Sequence, residues 1–367
     1  MKKKILILSN TCGGLFNFRR EVFEALIKEG HQLIVVAPEG FKTNLILEMG
    51  CQFIPISFKR QGTNPLADIK QMLTYHHIIK QEKPDVVLTY TIKPNLYGGM
   101  ACRLTNTPQI ANITGLGVAT ERPGFLRSLT TILYRLGLKK AHMIFFQNKE
   151  NLDFCKNLNI VSAPTSLIPG SGVNVDFFRL QPFPSNKKCC FIFISRIQRR
   201  KGIDQYLKAA EVIKKKYPQT EFHILGSCED KKYQDKLNKL SSQGIIQYHG
   251  FVKDTRPFLA NIHCTVHPSF YPEGMSNVLL ESCSSGRPII TTDKAGCREV
   301  VEDGLNGFIV RQQDTDDLIK KIEKFILIPH QQKEKMGLYA REKVEREFNR
   351  QFVIDAYLNE INNIHPQ

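Results

Sequence analysis

Two glutamates stand eight positions apart in Tyr271-Pro-Glu-Gly-Met-Ser-Asn-Val-Leu-Leu-Glu281. Gly274, Met275 and Ser276 follow Glu273, and a mostly apolar run leads to Glu281. Gly-x-Ser after a proline predicts a tight turn opening a helix. Backbone N–H groups at that helix start, around Asn277 and Val278, suit an anionic ligand. On a continuous helix Glu281 would lie near the face of Glu273, roughly 10 Å deeper at ~1.5 Å rise per residue. One carboxylate could then contact one end of an extended ligand while the other holds a second point. The spacing fits equally well a capped helix with two surface glutamates.

Upstream chemistry favours the ligand. Cys190-Phe-Ile-Phe-Ile-Ser195 is a short apolar run that reads as a buried parallel strand. It leads directly into Arg196-Ile-Gln-Arg-Arg-Lys201-Gly202. Arg196 and Lys201 therefore fall in the loop where a strand ends, the place where open α/β sheets bind ligands. A guanidinium fork and an ammonium point charge suit a diphosphate. Arg199 and Arg200 read as ordinary solvated charges of the same loop.

The elements that must position these groups are legible along the chain. Ile5–Ser9, His31–Ala37, Pro84–Tyr90, Gln109–Thr114 and Met143–Gln147 read as strands, alternating with helical patterns, the mark of a doubly wound α/β chain. Asn10-Thr-Cys-Gly-Gly14 reads as a loop whose glycines let a ligand approach the backbone; the Gly-x-Gly-x-x-Gly dinucleotide fingerprint is absent. A second glycine loop is Thr114-Gly-Leu-Gly117. Gln181-Pro-Phe-Pro-Ser-Asn-Lys187 reads as a linker. The expected division is residues 1–182, residues 183–349, and a final helical segment, 350–367, returning to the first domain.

At 367 residues the chain is long enough for two domains. It has no run near the ~20 apolar residues that span a bilayer, and Ile5–Ser9 is too short for a secretory core. The ten cysteines lack C-x-x-C and zinc-site spacing and read as reduced, mostly buried thiols. Asp314-Thr-Asp316 reads as a helix cap, not a metal site; no metal is assigned. Net charge is +16. Residues 1–182 hold 22 Lys and Arg against 12 Asp and Glu, a balance of +10. Gly124–Lys140 is amphipathic and basic, so Arg127, Arg135, Lys139 and Lys140 are expected to face lipid phosphates; a core-facing helix with solvated charges is the other reading. No RNP, KH, zinc-finger or basic-zipper pattern supports nucleic-acid binding.

Arg-x4-Lys-Gly followed downstream by Glu-x7-Glu resembles the family 4 (group 1) glycosyltransferases. Gly226, Gly250, Val266-His-Pro-Ser269, Gly286-Arg-Pro-Ile-Ile-Thr-Thr-Asp293 and Gly296-x2-Glu299 extend that resemblance over nearly the whole chain. It implies the GT-B architecture, two Rossmann-like doubly wound α/β domains facing a cleft, and retention of configuration at the transferred sugar. It further implies a nucleoside diphosphate sugar, UDP-linked, as donor substrate, and no cofactor. Arg196 and Lys201 would stabilise the leaving diphosphate. Glu281 would bond the ribose hydroxyls, and Glu273, Gly274, Met275 and Ser276 would contact the donor sugar. Asn277, Val278, Val252 and Gly14 would complete the donor set.

Phe58-Lys-Arg60 with Asn64-Pro65, together with Thr114–Gly117, is similar to bacterial enzymes that extend undecaprenyl diphosphate-linked sugars, N-acetylgalactosaminyltransferases of glycan and O-antigen assembly among them. This implies a lipid-linked saccharide acceptor engaged near Arg60 and Thr114. It also implies a cytoplasmic protein peripheral on the inner face of a bacterial inner membrane. Where many relatives carry a histidine at the end of the Ile110–Thr114 strand, this chain has Asn112, Thr114 and Gly115. The rival readings are a sugar-nucleotide epimerase of the same architecture and a non-enzymatic basic binding protein.

Overall fold

A computed structural model describes every residue except 58–63, 118, 119, 121, 122 and 365–367. Arg60 and the rest of Phe58–Arg60 lie outside the described residues. Contacts divide the chain into two compact units. One holds Met1–Gly172, Pro272–Met275 and Gln351–Gln367; the other holds Val173–Tyr271 and Ser276–Arg350.

The first unit is built on a parallel sheet of seven strands, β1 (Lys4–Leu8), β2 (Gln32–Ala37), β3 (Gln52–Pro55), β4 (Val86–Tyr90), β5 (Gln109–Ile113), β6 (Met143–Phe146) and β7 (Thr165–Leu167). Their order is β3-β2-β1-β4-β5-β6-β7. The intervening helices are α1 (Cys12–Lys28), α2 (Thr43–Glu48), α3 (Pro65–Glu82), α4 (Gly99–Thr105), α5 (Phe125–Leu138) and α6 (Lys149–Asn157). The inner strands are apolar along their whole length because helices cover both faces. Leu6, Leu8, Val36, Val87 and Phe146 pack on one face, and Ile5, Ile7, Val35, Leu88 and Phe145 on the other. This alternation is the two-residue period of a strand. Asn64 caps α3, its side chain accepting from the N–H groups of Leu66 and Ala67, with Pro65 at the first helical position.

The second unit repeats the plan with six strands, β8 (Cys189–Ile194), β9 (Thr220–Leu225), β10 (Gln247–Tyr248), β11 (Cys264–His267), β12 (Ile289–Thr292) and β13 (Gly307–Val310). They are parallel, in the order β10-β9-β8-β11-β12-β13. Its helices are α7 (Ile203–Lys216), α8 (Lys231–Ser242), α9 (Arg256–Leu259), α10 (Asn277–Ser284), α11 (Thr315–Leu327) and α12 (His330–Glu347). Asp314 caps α11, its carboxylate accepting from Asp317 N at 2.9 Å.

The proline-rich stretch expected to link the domains lies inside the second unit. Buried Arg287 explains this. Its Nη2 donates to Pro182 O at 2.7 Å and its Nε to Leu259 O at 2.7 Å, and the guanidinium lies over the Phe183 ring. The unit instead begins at Val173, whose N–H donates to Phe348 O and whose carbonyl accepts from Arg350 N. After Arg350 the last helix, α13 (Arg350–Asn362), counts with the first unit from Gln351 onward. Val353, Tyr357 and Ile361 are buried in the cluster of Ile7, Phe23 and Phe145.

Candidate active site

In the second unit the chain leaves β8 toward β9 and β10, then returns to place β11 on the other side of β8. The β8–β11 pair is therefore the topological switch point, where the following loops diverge and leave a crevice. Arg196 and Lys201 lie in the loop after β8, as the sequence predicts. Ser195 N and Ile197 N donate to Leu225 O and Ser227 O, tying that loop to the end of β9. Arg199–Lys201 form one 3₁₀ turn, ended by Gly202 at φ +80°. A Cβ at Gly202 would stand 2.1 Å from Pro268 O, so only glycine lets the β8 and β11 loops pack so closely. Phe270 N donates to Arg200 O at 3.0 Å across the same pair of loops. Arg196 is exposed. Lys201 is buried, with Nζ 4.9 Å from the centroid of the Tyr271 ring.

The loop after β11 differs from the sequence expectation in one respect. Helix α10 begins only at Asn277, with Ser276 as its N-cap residue. Glu273–Met275 are irregular, so the two glutamates do not share a helix, and the helical spacing between them does not apply. The reason lies in the backbone. Ser276 N is held by Gly296 O at 2.7 Å. Pro272–Met275 pack with the first unit, where Asn148 Nδ2 donates to Gly274 O at 2.6 Å and to Glu273 O at 3.2 Å. A Cβ at Gly274 would stand 2.2 Å from Gln147 Oε1, and one at Gly115 3.2 Å from Pro272 O. Gly274 thus earns its place by close packing against Thr114 and Gln147.

Helix α10 presents its N-terminal N–H groups, those of Asn277 and Val278, at the carboxyl end of β11. Among the described residues Asn277 Oδ1 is buried without a hydrogen-bond partner, an orphan acceptor that a ligand hydroxyl would satisfy. The sequence pointed to Asn277 through its backbone N–H and not through this side-chain oxygen. Glu281 sits in the second turn of α10. Burial pushes its carboxyl up to about 7, and the charge of Arg350 opposes the rise. Met275 is buried beneath Gly170. Val252, in the loop after β10, is half-buried against Cys190, Ile192 and Ile194.

In the first unit the equivalent switch point lies between β1 and β4. The glycine pair after β1 is not a loop: α1 starts at Cys12, so Gly13 and Gly14 form its first turn. A Cβ at Gly14 would stand 2.9 Å from Thr11 Cγ2. Thr114 follows β5 directly. Asn112 is fully buried. Its Nδ2 donates to Tyr357 Oη at 2.8 Å and its Oδ1 accepts from Gln147 Nε2 at 3.0 Å. It is a structural residue that fastens α13 to the sheet.

The basic residues of α5 have different partners. Arg135 donates to Leu158 O and Asn159 O at 2.8 and 2.9 Å, capping the end of α6, and Arg127 lies over the Phe154 ring. Lys139 and Lys140 are exposed beyond the helix end. Beside exposed Ser128 and Arg135, α5 offers solvent five large apolar side chains, Phe125, Leu126, Leu129, Ile132 and Leu136, with Phe125 83% accessible. Leu66, Ile69 and Leu73 of α3 are also exposed. Among the described residues no helix is long and apolar enough to cross a membrane.

Two doubly wound parallel α/β units, one with a pair of cations and a helix start at its switch point, define the GT-B class of transferases. Residues 4–148 match the glycosyl transferase 4-like family model, and residues 175–343 match the model of glycosyl transferases group 1. The chain thus carries a glycosyl transferase 4-like domain followed by a group 1 glycosyl transferase domain. It is 26% identical over 336 residues to the N,N'-diacetylbacillosaminyl-diphospho-undecaprenol alpha-1,3-N-acetylgalactosaminyltransferase of Campylobacter jejuni, covering 87% of this chain and 88% of that protein. It is 23% identical over 317 residues to the UDP-Gal:alpha-D-GlcNAc-diphosphoundecaprenol alpha-1,3-galactosyltransferase of Escherichia coli, with 82% and 81% covered. A glycosyltransferase from Rickettsia africae has the same fold, with a TM-score of 0.80 at 20% identity over 99% of this chain and 98% of that one.

Proposed function

We propose that this glycosyltransferase moves a hexose or N-acetylhexosamine from a UDP-sugar to a lipid-linked saccharide in bacterial surface glycan assembly, with retention of configuration. The observation that carries the donor half of this reading is the β8–β11 switch point. It gathers Arg196, Lys201, the α10 N-terminus, the orphan Asn277 Oδ1 and Glu281 on the loops and helix that follow two adjacent strands. Cleaving the bond from the sugar to the diphosphate places growing negative charge on the leaving group. Fixed cations and backbone N–H groups stabilise that charge without reorganising. Glu281 and Asn277 would take the ribose hydroxyls, and Glu273 the hydroxyls of the donor sugar. On the retaining route the sugar–phosphate bond breaks and the acceptor oxygen bonds the anomeric carbon from the same face. The acceptor proton passes to a leaving phosphate oxygen.

The Campylobacter jejuni and Escherichia coli relatives are named for transfer to undecaprenyl diphosphate-linked sugars, and the acceptor half is proposed by likeness to them. The exposed apolar stripe of α5 supports it, since a helix with an apolar face in the headgroup region lies on a bilayer without crossing it. The test is to incubate the protein with UDP-sugars and an undecaprenyl diphosphate-linked saccharide, then to assign the new anomeric centre by NMR. A product with the donor's configuration is expected. An inverted product, or donor consumed to an epimeric UDP-sugar without acceptor, would overturn the reading.

A further inference from the structure

The second sheet carries a set of metal donors away from the candidate active site. Cys190 pairs in register with Glu221, and Ile192 with His223. Side chains two apart on a strand share a face, so Cys190, Glu221 and His223 project together from β8 and β9. Cys190 Sγ lies 3.6 Å from Glu221 Oε2, and His223 Nε2 lies 3.6 Å from the same oxygen. All three donor atoms lie within 4.8 Å of one another. Zinc holds thiolate sulfur at ~2.3 Å and nitrogen or oxygen at ~2.0–2.2 Å in a tetrahedron, which sets donor atoms about 3.4–3.6 Å apart. The two edges that meet at Glu221 Oε2 have that length.

The surroundings hold each donor in a ligand's posture. Glu221 Oε1 accepts from Lys188 Nζ at 2.6 Å, leaving Oε2 to face the thiol and the imidazole. Cys190 N donates to His263 Nδ1 at 3.1 Å, fixing the strand backbone beside the thiol. The other ring nitrogen of His223, Nδ1, stands 3.1 Å from His249 Nε2, and the two rings stack with an interplanar angle of 11°. A proton on His223 Nδ1 donated to His249 leaves the Nε2 lone pair directed at the cluster. Metal-bound histidines are held in the same way by an outer partner.

We propose that Cys190, Glu221 and His223 bind one zinc ion, with solvent at the fourth position and His249 as the outer partner that fixes the His223 tautomer. Mixed sulfur, nitrogen and oxygen donors suit zinc better than calcium or magnesium, which take oxygen alone. On binding, the Cys190 S–H bond breaks, its proton leaves to buffer, and a sulfur–zinc bond forms; no electron moves. The thiolate and the carboxylate neutralise the dication. Cys190 and Glu221 lie at the amino-terminal ends of β8 and β9, whereas Arg196 and Lys201 follow the carboxyl end of β8. The ion is therefore structural and tightens the β8–β9–β10 edge of the sheet.

The full chain, stripped of metal, is titrated with zinc against a chromophoric chelator and, separately, with cobalt. Stoichiometric binding of one zinc per chain, release of one proton and a rise in Tm are expected. Cobalt should give a thiolate charge-transfer band and intense tetrahedral d–d bands. Cys190→Ser and His223→Gln should each lose this binding, while Cys228→Ser should keep it. His249→Phe should weaken zinc by ~10–100-fold yet retain the cobalt–thiolate band. Absence of that band in the unaltered chain, or zinc binding unchanged in Cys190→Ser and His223→Gln, would overturn the proposal. If either ligand variant fails to fold, the cobalt spectra of the unaltered chain and His249→Phe still decide it.

Discussion

Replacing Glu281 by Gln separates what this residue costs the fold from what it gives the ligand. The buried carboxyl titrates near 7 instead of 4.5. Below about pH 4.5 it is neutral in both folded and unfolded chains and costs nothing. As pH rises from about 4.5 to about 7 the unfolded chain ionises first, so the folded state loses stability; above about 7 the loss is constant. At ~1.36 kcal/mol per tenfold change in proton affinity, the ceiling is about 3 kcal/mol. Solvent reaches part of the side chain, which brings the expected value to about 1–2 kcal/mol. For a unit of this size that is a Tm gain of roughly 2–8 °C for Glu281→Gln at pH 8, falling toward zero at pH 5. The same variant should bind UDP more weakly, because a hydrogen bond to a charged acceptor contributes ~1.5–3 kcal/mol, or roughly 10–100-fold. Thermal melts across pH and calorimetric titration with UDP measure both. A Tm difference independent of pH, or unchanged UDP affinity, would refute the reasoning for its respective half.

Arg196→Ala and Lys201→Ala should each lower turnover by ~10²–10³ with the fold retained; near wild-type rates in both would remove the phosphate clamp. Initial rates should survive chelation of divalent ions even where Tm falls, since the proposed zinc is structural; full loss restored by magnesium or manganese would put a metal in the chemistry. Serine at Phe125, Leu129 and Ile132 should leave Tm unchanged, because these side chains are exposed, while reducing binding to lipid vesicles and transfer to a lipid-linked acceptor. Equal vesicle binding would make the stripe a bare surface. Asn148→Ala removes two hydrogen bonds to the Glu273–Gly274 backbone and the N-cap of α6, so it should lower Tm and also raise KM for the donor; a lower Tm with KM unchanged would make Asn148 only a structural tie.

The strands were legible because a strand covered on both faces must be apolar throughout. Cys190–Ser195 and Ile5–Ser9 differ from β8 and β1 by one residue at each end. The Asp314 cap was legible because an N-cap carboxylate serves the residues just after it. What stayed hidden depends on residues far apart in sequence. Pro182 and Phe183 read as a linker until the carbonyl of Pro182 meets the guanidinium of Arg287, 105 positions on. Asn112 read as part of a strand end facing a ligand, but its side chain bonds Tyr357, 245 residues away. That the exposed Arg135 also bonds the carbonyls at the end of α6 could not be read from the periodicity of α5.

The same limit governs Glu273 and Glu281. Their spacing suggests one rigid helix, but a helix cannot begin before its first turn is free to form. Asn148 holds the carbonyls of Glu273 and Gly274, and Gly296 holds the N–H of Ser276. These three contacts fix the backbone as irregular up to Ser276 and set the first helical residue at Asn277. Glu281 is thereby anchored in the packed second turn of α10, where burial raises its carboxyl, while Glu273 keeps a backbone governed by the Asn148 amide. Two carboxylates that look equivalent in sequence are set in different environments, one on a packed helical turn and the other on an irregular loop, so the roles proposed for them toward ribose and donor sugar are not interchangeable.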